Sequence, residues 1–321
     1  MPDPSPSASP PAAWAPLPGR SALLVRGVDA VRFVDHFTTA ALASLAPGRG
    51  TEGFFADARG RVLAIVNVLR TPDGLWLDAP AGVAPALLAH LDRHLIREKV
   101  EFEDATADRG TLVLVGPAAT AWLAARVSAA PPTDLLAHAT VNVGGVDAAV
   151  VALDWFGPHG LLLQAGRADA ERIAAWLRAE GLPAADAATV DAARIAAGSP
   201  EPADVDDRAL PQELGRDARA ISFTKGCYLG QETVARLDAL GHVNRRLVVL
   251  SAAVPPSVGA AVATTAGEPV GRITSACAGP DGGGLGLALV HVRGLGGAEL
   301  TIDGAPARVV QSPAARVQEH H

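Results

Sequence analysis

Along the first hundred residues the apolar positions switch twice between a period of two and a helical period. A weakly alternating run over 21–26 stops at Gly27; Val31, Val34 and Phe37 then recur at helical spacing and lead into the apolar stretch 40–45, with Asp29 placed to stabilise the first turn. That predicts a strand followed by a helix. Two β-rich runs, 53–57 and 61–70, flank Ala58-Arg59-Gly60, and Pro72-Asp73-Gly74 turns the chain into Leu75-Trp76-Leu77, which makes an antiparallel meander. A helix over 83–96 offers Leu87, Leu88, Leu91 and Leu95 to a core and leaves His90 and His94 on a polar, solvated side, after which 100–104 returns as a strand. Strands with two helices on one face form an α+β unit.

From Thr111 the same order begins again: strand 111–115, helix 118–127, strands 146–155 and 161–164, helix 168–179. The order of elements repeats without a repeated sequence. The stretch 189–198 is helical in pattern and 199–216 is loop-like around Pro200, Pro202 and Pro211. After Asn244 the chain turns all-β, in short runs separated by Pro255-Pro256, Gly282-Gly283-Gly284 and Gly296-Gly297, which predicts a small barrel. The glycine clusters open no helix and so make poor phosphate loops.

A length of 321 residues suits two or three compact units. Hydrophobic residues make up 49% and aromatics only 4%, so the cores are packed by Ala, Val and Leu, at about 1.5 to 3 kcal/mol for each large aliphatic side chain buried. Positions 1–18, rich in Pro, Ser and Ala, read as a disordered tail and not as a signal peptide, and no stretch is apolar enough to span a membrane. Two cysteines fifty positions apart make neither a disulfide framework nor a metal-binding quartet, so no metal site is expected and the cytoplasm is the default compartment. A formal charge of −7 without a basic run argues against direct, phosphate-driven nucleic-acid binding.

The densest chemistry lies at Lys225-Gly226-Cys227-Tyr228. Tyr228 is the only tyrosine, Lys225 one of two lysines with Lys99, and Cys227 one of two cysteines. In a chain that takes its positive charge from arginine, a lysine here points to a need for a compact ammonium. Cys227, beside that cation, is the candidate reactive thiol, with Lys225 as its partner, whereas Cys277 in an apolar strand is read as packing.

The segment 221–236, Ile-Ser-Phe-Thr-Lys-Gly-Cys-Tyr-Leu-Gly-Gln-Glu-Thr-Val-Ala-Arg, resembles the signature of the YgfZ family of folate-binding proteins, relatives of the glycine-cleavage T-protein aminomethyltransferases and of a mitochondrial iron–sulfur assembly homologue. Phe55-Ala56-Asp57-Ala58-Arg59-Gly60-Arg61, Leu210-Pro211-Gln212-Glu213 and Asn244-Arg245-Arg246-Leu247 resemble further pieces of that family. The resemblance implies an α+β fold of two ferredoxin-like units around a central pocket plus a C-terminal small β-barrel: 19–107 completed by 186–243, then 108–185, then 244–317. It implies tetrahydrofolate or a derivative as ligand, with Tyr228, Gly230, Gln231, Glu232, Arg236, Glu213, Asp57 and Arg59 as binding residues. Glu232 and Arg236 stand at i,i+4, and a helix starting at Gly230 would turn free N–H groups toward an anion such as a folate glutamate tail.

Two departures bear on activity. The T-protein enzymes carry an aspartate on the strand after the hairpin, but the run 61–70 holds no carboxylate; relatives often have a glutamate two residues after the arginine at Arg194, where this chain has Ala196. The expected function is therefore a cytoplasmic folate-binding factor that supports iron–sulfur proteins and, through them, tRNA modification. A tetrahydrofolate-dependent aminomethyltransferase and a ligand-free scaffold are the alternatives.

Overall fold

The computed structural model describes residues 11–311 apart from 242, 280, 281, 297 and 298, so the first ten residues of the expected tail and positions 312–317 of the expected barrel lie outside the described residues. The chain runs through β1 (Ala13–Pro16), β2 (Ser21–Arg26), α1 (Ala30–Asp35), β3 (Gly50–Ala56), β4 (Val62–Thr71), β5 (Gly74–Ala79), α2 (Ala84–Asp92) and β6 (Glu101–Asp104). A second series follows: β7 (Arg109–Val115), α3 (Ala119–Ala124), β8 (His138–Val143), β9 (Val146–Leu153), β10 (Gly160–Gly166) and α4 (Arg167–Ala179). The two antiparallel sheets have the orders β6-β2-β5-β4-β3 and β1-β7-β10-β9-β8. Without its last strand each is a ferredoxin-like order. In the second, the place of the returning strand is taken by β1 from the N-terminal end.

That placement corrects the expectation of a disordered tail for 11–18. Trp14 is only 3% exposed and its neighbours Ala13 and Ala15 are buried. Beyond pairing with β7, Trp14 donates its N–H to the Pro183 carbonyl at 3.0 Å and accepts from Ala185 at 2.7 Å. Pro16 ends the strand, where a missing N–H does little harm, so the proline content that suggested disorder is compatible with order here.

Strand-by-strand matching also uncovers a repeat that the linear sequence hides. Gly74-Leu75-Trp76-Leu77-Asp78-Ala79 in β5 corresponds to Gly160-Leu161-Leu162-Leu163-Gln164-Ala165 in β10. Gly27 and Gly116, at φ +114° and +101°, end corresponding strands, and each carbonyl accepts the N–H three residues on at the start of a helix. Both β5 and β10 are buried on both faces, which explains why they read as continuous apolar runs and not as alternation.

The reason lies in the cores. One face of the first sheet packs on α1 and α2, and the matching face of the second packs on α3 and α4. The opposite faces meet in a central hub, to which Phe54, Ile65, Trp76, Val113, Leu153 and Trp155 contribute. The barrel adds Leu247, Val249 and Leu287 to that hub. It is built of β11 (Arg245–Ala252), β12 (Ala261–Thr264), β13 (Pro269–Ala278), β14 (Gly284–His291), β15 (Glu299–Ile302) and β16 (Ala305–Gln311), closed in the order β11-β14-β13-β12-β15-β16. Between the second unit and the barrel run α5 (Ala187–Ala196), α6 (Asp217–Ala220) and α7 (Gln231–Leu240), with short 3-10 turns at Pro202–Asp204 and Pro211–Leu214. Among the described residues no helix is long and apolar enough to cross a membrane.

His90 departs from the solvated face expected of it. It is 4% exposed, its ring stands edge-on to Phe37, and its Nε2 has no protein partner. Burial, then the charge of Arg93, pulls its pKa from the ordinary 6.5 down to about 4. The unfolded chain therefore binds a proton between pH 6.5 and 4 that the folded chain refuses, and stability falls as pH falls through that window. The expected loss is about 3 kcal/mol for a shift of this size. Urea midpoints measured from pH 7 to 4 should show it, and His90→Leu should flatten the profile; an equally steep profile in that variant would assign the acid sensitivity elsewhere.

Candidate functional site

The loop between α6 and α7 is held against the chain that follows α1 at three places. The Ser222 N–H donates to the Thr39 carbonyl and the Leu229 N–H to the His36 carbonyl, both at 2.9 Å. Between them the Lys225 ammonium donates to the carbonyls of Asp35, Thr38 and Ala40 at 2.6, 3.1 and 2.6 Å and lies 3.1 Å from the Asp35 carboxylate. Lys225 thus satisfies the open carbonyl at the end of α1 and two in the chain beyond it, where the helix expected to lead into 40–45 has already stopped at Asp35.

The structure gives Lys225 an anchoring role beside the one expected of it. The need for a compact ammonium is real, because three converging carbonyls suit a tetrahedral –NH3+ and not a planar guanidinium. Its protons are engaged by those carbonyls, so it holds the loop in place. Burial lowers its pKa, opposed by the hydrogen bond and charge of Asp35. Lys225→Arg should cost about 1 to 3 kcal/mol through carbonyls left without donors. Chemical denaturation checks this; an unchanged midpoint would mean that charge alone suffices.

The anchors leave Cys227 exposed at the crest of the loop. Gly226 beside it is open, with nothing within 4 Å of where a Cβ would stand. Tyr228 points inward: it is 8% exposed, its ring lies 5.4 Å from the Lys225 ammonium, and burial together with the charge of Asp238 pushes its phenol up to about 12. It is packed against the loop it belongs to.

The hairpin and α7, 170 positions apart in sequence, do meet. Gly230 has φ +83°, and a Cβ there would stand 2.6 Å from the Asp57 carbonyl oxygen; a Cβ at Gly60 would stand 2.8 Å from the Cβ of Thr233. The hairpin therefore closes on the start of α7 with Arg59 exposed beside it. The Asp57 carboxylate accepts the N–H groups of Arg59 and Arg61 at 2.8 and 2.9 Å, so it shapes the hairpin itself. At α7 the Gln231 N–H is taken by the Tyr228 carbonyl. Glu232 and Arg236 are exposed and, contrary to expectation, do not pair with each other.

Glu213, expected at the ligand, belongs to a network with Arg245. Its two oxygens take the Arg245 guanidinium at 3.0 and 2.8 Å, and one also accepts the Leu210 N–H. The same pattern holds for each buried carboxylate among the described residues. Glu52 is bound by Arg216 at 2.5 and 2.7 Å, Asp78 by Arg20 at 2.8 and 2.8 Å, and Asp204 by Arg194 at 2.9 Å. Paired, hydrogen-bonded charges are the tolerable form of buried charge, and the bidentate fork of arginine suits them.

Sequence reasoning missed a polar row in the hub. Glu52, Asn67 and Asp78 lie opposite one another on β3, β4 and β5, at 1%, 2% and 1% exposure, on the face that looks into the hub. The strand without a carboxylate is thus flanked by two strands that carry one. Asn67 donates to Asp78 at 2.9 Å, while its own Oδ1 has no protein partner, and neither have the indole Nε1 groups of Trp76 and Trp155 in the same hub. The signal was present: Asn67 alone interrupts the apolar run 62–69.

Against known proteins, residues 20–225 match the family model described as the GCVT N-terminal domain, which covers more than half of the chain. The chain belongs to the GCVT family. Residues 244–316 match a second model, the CAF17 C-terminal β-barrel domain. A tRNA-modifying protein YgfZ from Edwardsiella ictaluri is 33% identical over 69% of this chain and 65% of its own length, in keeping with the resemblance carried by 221–236. An iron–sulfur cluster assembly factor IBA57 homologue, mitochondrial, from Phaeosphaeria nodorum is 28% identical over 90% of this chain and 73% of its own. Across the first four curated relatives the matches span 60 to 73% of the relative's length. The crystal structure of glycine cleavage system aminomethyltransferase T from Bartonella henselae superposes with a TM-score of 0.80 at 22% identity, over 94% of this chain and 86% of that one, and so shares the fold.

Proposed function

We propose that this GCVT-family protein is a factor for the assembly or repair of iron–sulfur proteins, with Cys227 as its acting group and any effect on tRNA modification passing through those clients. The observation that carries this reading is the loop pinned at Ser222, Lys225 and Leu229, which presents an exposed thiol on a backbone that cannot easily retreat. Relatives named for iron–sulfur assembly and for tRNA modification support it. Among the described residues no three of His, Cys, Asp and Glu converge on a possible metal position. A cluster atom held by Cys227 would therefore be shared with groups from a client, as cargo and not as a resident cofactor.

The ligand this reading assigns to the hub is tetrahydrofolate, bound and unreacting. A pterin offers both N–H donors and ring acceptors, and the hub holds one buried acceptor, Asn67 Oδ1, and two buried donors, the Trp76 and Trp155 Nε1 groups, without protein partners. Those three groups would hold the ring. Folate supplies one-carbon carrier chemistry when bound, but among the described residues the buried carboxylates Glu52, Asp78, Asp204 and Glu213 are each tied to an arginine, which argues against their moving a proton as an aminomethyltransferase requires. Calorimetry should show binding of tetrahydrofolate, and an assay with lipoyl carrier protein no aminomethyl transfer. Trp155→Phe should weaken binding about tenfold, the loss of one buried hydrogen bond, while leaving the free protein no less stable. Turnover at an ordinary rate would make the protein an aminomethyltransferase; undiminished affinity in Trp155→Phe would remove the hub as the ligand site.

A further inference from the structure

A cavity of about 360 Å³ lies on the second unit between α4, the start of β7 and the strap that joins β1 to β2. Its wall along α4 is formed by Arg167, Ala170, Glu171, Ala174 and Arg178, residues that share one helical face over the length of the helix. The floor is low because Gly110 lets α4 settle onto β7: a Cβ there would stand 2.3 Å from the Cβ of Ala170.

The charges are one-sided. Among the described residues, Arg109, Arg167 and Arg178 have no carboxylate partner, against Glu171 as the only acidic lining residue. Arg20 also lines the cavity but is neutralised by Asp78. Arg109 lies opposite Gly166 in the sheet, which places it beside Arg167 at the first turn of α4. The Arg167 N–H at that turn is taken by the Asp108 carbonyl, and Asp169 in the same turn is paired with Arg172, so the positive charge here comes from the guanidiniums. The other end, roughly 16 Å along the helix, is aromatic: Arg178 lies over the Trp14 ring at 5.1 Å, and Trp14, 3% exposed, has an Nε1 without a protein partner.

We propose that this cavity binds a small organic anion, with its phosphate or carboxylate at Arg109 and Arg167 and a flat apolar body toward Trp14. A volume of this order is ordinary for a small-molecule site lined by apolar groups and a few placed charges. In a chain of net charge −7, three guanidiniums gathered around a cavity select for anions, while the apolar lining of Pro16, Leu17, Pro18, Ala170 and Ala174 favours an anion with an apolar body over a bare inorganic one. The site is separate from Cys227 and meets the hub only through Leu17 and the Arg20–Asp78 pair, so it stands apart from the function proposed above.

Calorimetric titration of the full chain with adenosine 5′-monophosphate, 4-hydroxybenzoate and inorganic phosphate tests this. One of the two aromatic anions should bind saturably and at least tenfold more tightly than inorganic phosphate; which one does so distinguishes a phosphate from a carboxylate ligand. Arg109→Gln breaks no ion pair and should leave the melting temperature unchanged, Arg178→Gln gives up only its contact with the Trp14 ring and should lower it slightly, each should weaken binding tenfold or more, and Cys227→Ser should leave binding untouched. Absence of saturable binding by both aromatic anions, inorganic phosphate binding as tightly as either, or full affinity in both arginine variants would overturn the proposal.

Discussion

Cys227→Ser should leave the melting temperature within about 2 °C of the parent, as expected for an exposed substitution away from any packed feature, while abolishing the protein's support of an iron–sulfur enzyme in cells that lack it. The stability half of this expectation follows from exposure: a serine hydroxyl at that crest meets water and needs no buried partner. The functional half follows from chemistry, since a hydroxyl stays protonated near neutrality and is a poor ligand for iron, whereas a thiolate is a strong one. Because the loop is held by Ser222, Lys225 and Leu229, its shape does not depend on residue 227. Full rescue by the stably folded variant would eliminate the thiol as the acting group.

The largest effect on stability should come from Arg194→Ala. Arg194 is buried between α5 and the barrel, donating to Asp204, the Ser199 carbonyl and the Ser275 hydroxyl at 2.8 to 2.9 Å. Asp204, whose side chain is fully buried, also accepts from Thr274 and Ser275 and from the Glu201 N–H. Removing the arginine strands that carboxylate, a loss of about 3 to 5 kcal/mol. Asp204→Asn in the same background should recover part of it by removing the unpaired charge. Urea denaturation of both variants provides the measurement; no recovery in the double variant would attribute the loss to packing and not to charge.

Most strands and helices were legible from their periods or apolar runs, and the barrel from turns marked by proline and glycine, but β1 fell in the expected tail and β8 in a stretch given no element. Lys225 was legible in chemistry but not in role. Its rarity revealed the need for an ammonium, yet its partners are carbonyls of residues 35–40, which no local pattern announces. Glu213 and Glu52 were illegible for the same reason: their arginines stand 32 and 164 positions away. His90 misled because its i,i+4 partner His94 suggested a common polar face, while the aromatic cover comes from Phe37 after another helix. Long-range pairing decides such cases, and a single sequence carries no trace of it.

The borrowed strand β1 has a consequence for the order in which the protein can be made. Its partner β7 leaves the ribosome roughly a hundred residues later, so the second sheet cannot close locally and must wait for a non-local pairing of the slow kind. Until then β7 presents an open edge, a template for another chain. A shortened variant beginning at Gly19 would make that transient edge permanent, and its failure would show as concentration-dependent aggregation during synthesis before it showed as any loss of activity.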